Sequence, residues 1–490
     1  MKHSTVNRSS HPSRGVFRNL RKGGAERGVL IGLVVCALAS PLSVIPWALI
    51  ALAVTGLVFR AFWRQIDQGL PLAQVAALLA CLQWLIGPVW YYWGDYSIES
   101  MGMAVSETEY FSVAIPGTSM FCLGLLIFGY TVNQRNLLRR TSSENFHLIG
   151  ILLNGVALVA DVAGRLGPSN LAFAFFLLSQ LRYVGVLYLW FSGRTWARWL
   201  AGICTLPLFV SSAESAMFHD LLIWCGLLFC FWYAGVPRTP MTKVALILAG
   251  AVLVFTIQGV KKPYREKVWE GRDASLTEEV TQFWTGFEDL DQEEIFENTM
   301  VRLNQGWIVS RVIYHVPKAE PYARGATIRD ALVASLIPRF LYADKAEAGG
   351  RTNFMRFTGL PINEATSMNV SLLGEGYANF GKVGSWIFLF VAGSAIAVSI
   401  GLCKKYASVR PVFLFWIPLI FYQAIKAETD CTEVFNQITK GGALAFVCFW
   451  GVEKVFPSRA SRGVRRSAKR AGRRRKRISE DATEVRWEKS

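Results

Sequence analysis

Long apolar runs separated by short polar joints dominate the chain, and one polar stretch is far longer than the rest. Val29–Phe59 is apolar but interrupted by Pro41 and Pro46. It is too long for one ordinary span and predicts two short helices joined at the prolines. Further spans are predicted at Leu72–Tyr92, Val113–Thr131, Leu148–Gly164, Asn170–Phe191, Trp199–Ala213, Ala216–Ala234 and Val244–Gly259. After a break come Ser385–Leu402, Pro411–Ala424 and Gly441–Val452. The break, Lys261–Gly384, is too long for an idle connection and is where chemistry is expected. Within it Thr277–Val316 carries Phe283, Phe287, Ile295, Met300, Leu303, Trp307 and Ile308 at helical spacing. Thr327–Asp330 resembles a capping box, leading into apolar Ala331–Ile337, which Pro338 stops. That second helix is apolar enough to lie along a membrane interface.

The fold class that follows is an all-α polytopic membrane protein with about twelve transmembrane helices and one large, partly helical loop. It divides into a basic leader (1–28), N-terminal transmembrane helices (29–259), the loop (260–384), C-terminal transmembrane helices (385–452) and a basic tail (453–490). Ala37-Leu-Ala39 also resembles a signal-peptidase site, but the basic leader before it is long for a signal peptide.

Composition supports the membrane class: 52% of residues are hydrophobic and 18% charged. The net charge of +17 is concentrated at the ends. Residues 1–28 hold about +6 and residues 453–490 about +9, so the body is nearly neutral and no nucleic-acid partner is expected. Charge also sets orientation. Counting from an inside N-terminus, every inside connection is basic: Arg60/Arg64, Arg135/Arg139/Arg140, Arg194/Arg198, Arg238/Lys243 and Lys404/Lys405/Arg410. The outside connections Trp93–Ser112 and Glu428–Gln437 are acidic, and Arg165–Ser169 holds a lone Arg. Both termini are therefore expected in the cytoplasm and the large loop outside. The nine Cys lie mostly in apolar runs, with no C-x-x-C and no His/Cys cluster, so they read as buried small hydrophobes. The spans show no internal repeat, which counts against a secondary transporter.

The loop is polarised. Glu278, Glu279, Glu288, Asp289, Asp291, Glu293 and Glu294 crowd its first third; Arg302, Arg311, Lys318, Arg324, Arg329, Arg339, Lys345, Arg351 and Arg356 follow. Its last part carries Ile337-Pro-Arg-Phe-Leu-Tyr-Ala-Asp-Lys345, Thr366-Ser-Met-Asn and Leu373-Gly-Glu-Gly-Tyr-Ala-Asn-Phe-Gly381, running into a span. These motifs resemble the O-antigen polymerase family, with the close match confined to roughly the last third of the loop. The resemblance implies a bacterial inner-membrane glycosyltransferase. Its partners would be oligosaccharide repeat units on undecaprenyl pyrophosphate, membrane lipids and, as a candidate, a chain-length regulator. The growing chain would be moved onto the incoming unit at the outer face, making O-antigen, capsule or exopolysaccharide without metal or cofactor.

Such a transfer must neutralise a departing pyrophosphate, and arginine stays charged and grips phosphate oxygens in pairs. Candidate binding residues are Arg324, Arg329, Arg339, Lys345, Arg351 and Arg356; the competing reading is a solvated basic face paired with the acidic half. Glu375, between two glycines, is the candidate catalytic base, or else a carboxylate that locks a neighbouring Arg. Tyr377 and Asn379 are candidates for stacking on and bonding to sugar, or for packing the start of the span. Arg182 lies inside an apolar run, where a charge needs a partner or a wet cavity. It is read as a lipid-phosphate ligand or the partner of an acid on a neighbouring helix. His315 leaves a ligase of lipid-linked glycans open, and a flippase or transporter of lipid-linked oligosaccharide is the non-enzyme alternative. A membrane acyltransferase would want a histidine inside a span, and none is clearly supplied.

Overall fold

The structure is a computed structural model. It describes residues 24–40, 45–94, 101–129, 134–138, 141, 144–167, 171–214, 219–233, 239–252, 292–337, 350–363 and 366–456. The described residues form helices and no strand. Among the described residues six helices are long and apolar enough to cross a membrane: α2 (Trp47–Gln65), α3 (Leu72–Trp93), α4 (Glu107–Ile127), α5 (Phe146–Leu166), α6 (Phe173–Trp190) and α14 (Ser371–Val409). Helices also cover the other apolar runs, as α1 (Gly24–Ala39), α7 (Thr195–Glu214), α8 (His219–Tyr233), α9 (Pro240–Val252), α15 (Pro411–Phe421) and α17 (Gly442–Val455). Within the Val29–Phe59 run α1 ends at Ala39 and α2 starts directly after Pro46, while Pro41 lies outside the described residues.

The molecule is organised on the crossing of α4 and α14. Backbones touch there. A Cβ added at Gly124 would lie 2.4 Å from the Phe390 carbonyl oxygen, and one at Gly393 would lie 2.4 Å from the Phe121 carbonyl oxygen. Small residues that admit such approach are a main source of helix association in lipid, where apolar side chains gain little by leaving the bilayer. Trp386 ties the same pair by donating to the Val113 carbonyl oxygen, 3.3 Å away.

α3 shows how the loop is seated on the spans. Pro88 lacks an N–H and cannot serve the Trp84 carbonyl one turn back. The helix widens into a π-turn at Leu82–Ile86, and the Tyr110 hydroxyl donates to Trp84 O at 2.8 Å instead. The loop chain rests on that spot. A Cβ at Gly306 would be 2.3 Å from Pro88 and 2.4 Å from the Tyr110 oxygen. This seat divides the predicted Thr277–Val316 helix. Residues 277–291 lie outside the described residues, and the rest is two helices, α10 (Gln292–Leu303) and α11 (Gly306–His315), broken at Asn304–Gln305.

Two more loop helices follow, α12 (Ala326–Leu336) and α13 (Arg351–Thr358). The capping box expected for α12 does not form. Its N-cap is Gly325, at φ 88°, and Thr327 turns its hydroxyl elsewhere. α14 is not straight: Gly381 (φ 66°, ψ −166°) breaks it. Its first ten residues stay with the loop helices, and the remainder continues as the apolar span. Between α15 and α17, α16 (Cys431–Asn436) packs against α12.

Candidate functional site

The first turns of α14, the start of α12 and the start of α16 meet at Glu375. This side chain is fully buried (0% exposed). Its two oxygens accept from different elements: Oε1 from the Thr327 hydroxyl of α12 at 2.7 Å, and Oε2 from the Cys431 N–H of α16 at 2.8 Å. The Cys431 thiol, pushed up by burial, also bonds to Glu375. Among the described residues no arginine or lysine pairs with it. The competing expectation of an Arg-locking carboxylate is therefore not what these residues show. Glu375, expected as the base that meets substrate, has no exposed surface and both its oxygens are engaged.

Asn379, one turn on, completes the junction. Its Nδ2 donates to Thr327 Oγ1 and to the Glu375 carbonyl, each at 2.8 Å, and its Oδ1 accepts from the Gly325 N–H at 2.9 Å. The backbone joins in: Ala323 N–H donates to Ala378 O and Arg324 N–H to Asn379 O, both at 3.0 Å. These bonds hold Arg324 at φ 50°, a left-handed conformation that a residue with a Cβ rarely takes. Arg324 is an exposed residue and makes no ion pair with any described residue. Tyr377 is buried, its ring 6.2 Å from that of Tyr322, just before the Arg324 turn. Asn379 and Tyr377 thus pack the start of α14, the second of the two readings given for them.

The other candidates separate. Arg329, exposed on α12, forks onto neighbouring Asp330 at 2.9 and 3.0 Å. Arg351 starts α13 and donates to the Ile362 carbonyl at 3.3 Å. Arg356 is taken by Glu320 at 2.6 Å. Arg339 and Lys345 lie outside the described residues. Arg182 pairs with Asp161, which ties α6 to α5, and its Nε donates to Ser179 O at 3.2 Å. It is the neighbouring-helix ion pair of the two readings. His315 ends α11, packed where a Cβ at Gly359 would be 2.7 Å from its ring.

Sequence reasoning missed Asp430. It is 1% exposed, caps α16 by accepting from the Glu433 N–H at 3.1 Å, and leaves Oδ2 buried without a hydrogen bond. Burial, then the nearby Glu375 and Glu433, push it up to about 8. Burial also raises Glu433, to which Asn369 bonds. Beside them Lys426 pairs with Asp220 at 2.9 Å and His219 with Glu428 at 3.1 Å. The signal was present in Glu428–Gln437, a carboxylate-rich connection between two apolar runs, read only for its charge.

No family model, curated protein or solved structure matches this chain.

Proposed function

We propose that the chain is a bacterial inner-membrane glycosyltransferase that polymerises oligosaccharide repeat units carried on undecaprenyl pyrophosphate. All twelve apolar helices cross the bilayer in this reading, both termini are cytoplasmic and α10–α13 face the periplasm, as the basic inside connections favour. The supporting observation is the Arg324 turn. A cation without an acid partner among the described residues stands at a strained backbone position that Asn379, Thr327 and Glu375 hold through hydrogen bonds. Strain retained by surrounding bonds is a mark of functional positions.

Arg324 takes the diphosphate of the donor. The acceptor hydroxyl forms a bond to the anomeric carbon, the bond from that carbon to the diphosphate breaks, and the hydroxyl proton passes to solvent. The guanidinium offsets the charge released on the diphosphate where the reaction needs it. Glu375 acts as a positioning residue that holds the turn. Sequence motifs of the loop, not a structural likeness, supply the sugar chemistry in this proposal.

Deleting the gene tests the reading by analysis of the carrier-linked sugars. A polymerase loss leaves single repeat units on the carrier at the outer face. Long chains still on the carrier would indicate a ligase, and units stranded at the inner face a flippase.

A further inference from the structure

Glu375 and Asp430 are 55 positions apart and share one dry junction. Cys431, the next residue after Asp430, gives its N–H to Glu375 Oε2 at 2.8 Å. Both carboxyls are buried, at 0% and 1% exposure. Among the described residues the nearby Lys426, His219 and Lys440 already have partners, and Lys440, on the turn after α16, donates to Asn436 Oδ1. Lys426 is held by Asp220, and His219 faces Glu428. On α12, Arg329 and Asp330 pair with each other at the surface. On α16, half-buried Glu433 adds a further acid, and on α14 the neighbours are neutral Tyr377 and Asn379. Two ionised carboxylates cannot both be kept in such a place; like charge and burial each favour the protonated form of one. The hydrogen bonds identify which. Glu375 receives donors on both oxygens, the pattern that suits a carboxylate. Asp430 Oδ2 receives none, so no donor there stabilises a negative charge.

We infer that Glu375 and Asp430 carry one proton between them at neutral pH, resting on Asp430, and that keeping this acid neutral lets α12 stay packed against α14 and α16. With the proton present the junction carries one negative charge, spread over the donors from Thr327 and Cys431. Without it two charges repel across the same contact, and α12, with the Arg324 turn at its start, loosens from α16. The inference concerns the junction itself and does not depend on what the protein transfers. It makes the loop sensitive to alkaline conditions on its own side.

Infrared absorption of the full chain in lipid nanodiscs reads the proton directly, in H2O and D2O, from about pH 5 to about pH 10. The wild type shows a deuterium-sensitive carboxylic-acid C=O band at neutral pH that fades near pH 8, following the raised Asp430 acid. Asp430→Asn keeps a cap for α16, since asparagine caps as well as aspartate, and lacks the band. The wild-type minus Asp430→Asn difference separates the band from that of Glu433. In Glu375→Gln the band remains but its midpoint falls by at least about one pH unit, the negative neighbour being gone. No such band in the wild type at neutral pH, an equal band in Asp430→Asn, or an unmoved midpoint in Glu375→Gln would overturn the inference.

Discussion

Arg324 holds a left-handed backbone at φ 50° without being glycine. That conformation costs a side-chain-bearing residue about 1 kcal/mol or more, offset here by bonds from both its own N–H and that of Gly325 to Asn379. Function and stability therefore separate at this residue. Arg324→Gly relaxes the turn and removes the guanidinium, so its stability should stay within about 1 kcal/mol of wild type while transfer falls at least about tenfold. Thermal melts and repeat-unit ladders, run on the same preparation, check both halves. Glu375 predicts the opposite balance. Glu375→Ala leaves the Thr327 hydroxyl and the Cys431 N–H without an acceptor in a dry site, which costs about 2–4 kcal/mol for the two donors together. Denaturation of purified protein measures it.

At the scale of elements, glycine decides where helices may touch. Gly124 and Gly393 let α4 and α14 meet backbone to backbone. Leucine at either position must push the helices apart, with a loss of about 1–3 kcal/mol or more, visible as a lowered melting temperature; Gly56, whose added Cβ meets nothing within 4 Å, is the neutral control. The same scale separates what sequence reveals from what it hides. Apolar runs located the helices because burial in lipid or in a helical core imposes long runs on the sequence itself. Pro46 marked a limit for the same local reason. The break between α10 and α11 was not legible, because its cause is Pro88 and Tyr110, which come from elsewhere in the chain. α13 was missed although Gly350 and Gly359 bracket it, since its buried Phe354 and Phe357 give too short an apolar pattern. Glu375 was picked out from its motif, yet its partners Thr327 and Cys431 are a tertiary fact. The apparent capping box misled for that reason: Thr327 has a buried carboxylate to serve and leaves the helix end to Gly325.

For the whole molecule, the junction of α12, α14 and α16 joins the loop to the last helices, so its charge state should register in global stability. The Asp430 carboxyl is raised from 3.8 to about 8 in the folded protein. A raised acid contributes its stability fully below the unfolded value and loses it as pH rises through the folded one. The wild type should therefore melt progressively lower between about pH 4 and pH 8 on this group's account. Asp430→Asn should flatten that part of the slope; melts across the range in one detergent compare the two.

The proposal as a whole places an outward guanidinium where a lipid brings a diphosphate. Its most direct test is chain elongation in vesicles containing only the purified protein and an undecaprenyl-diphosphate-linked repeat unit. The account predicts a ladder of lengthening chains from the wild type and none above a single unit from Arg324→Ala at equal protein. No ladder from the wild type, or the same ladder from both proteins, would contradict it.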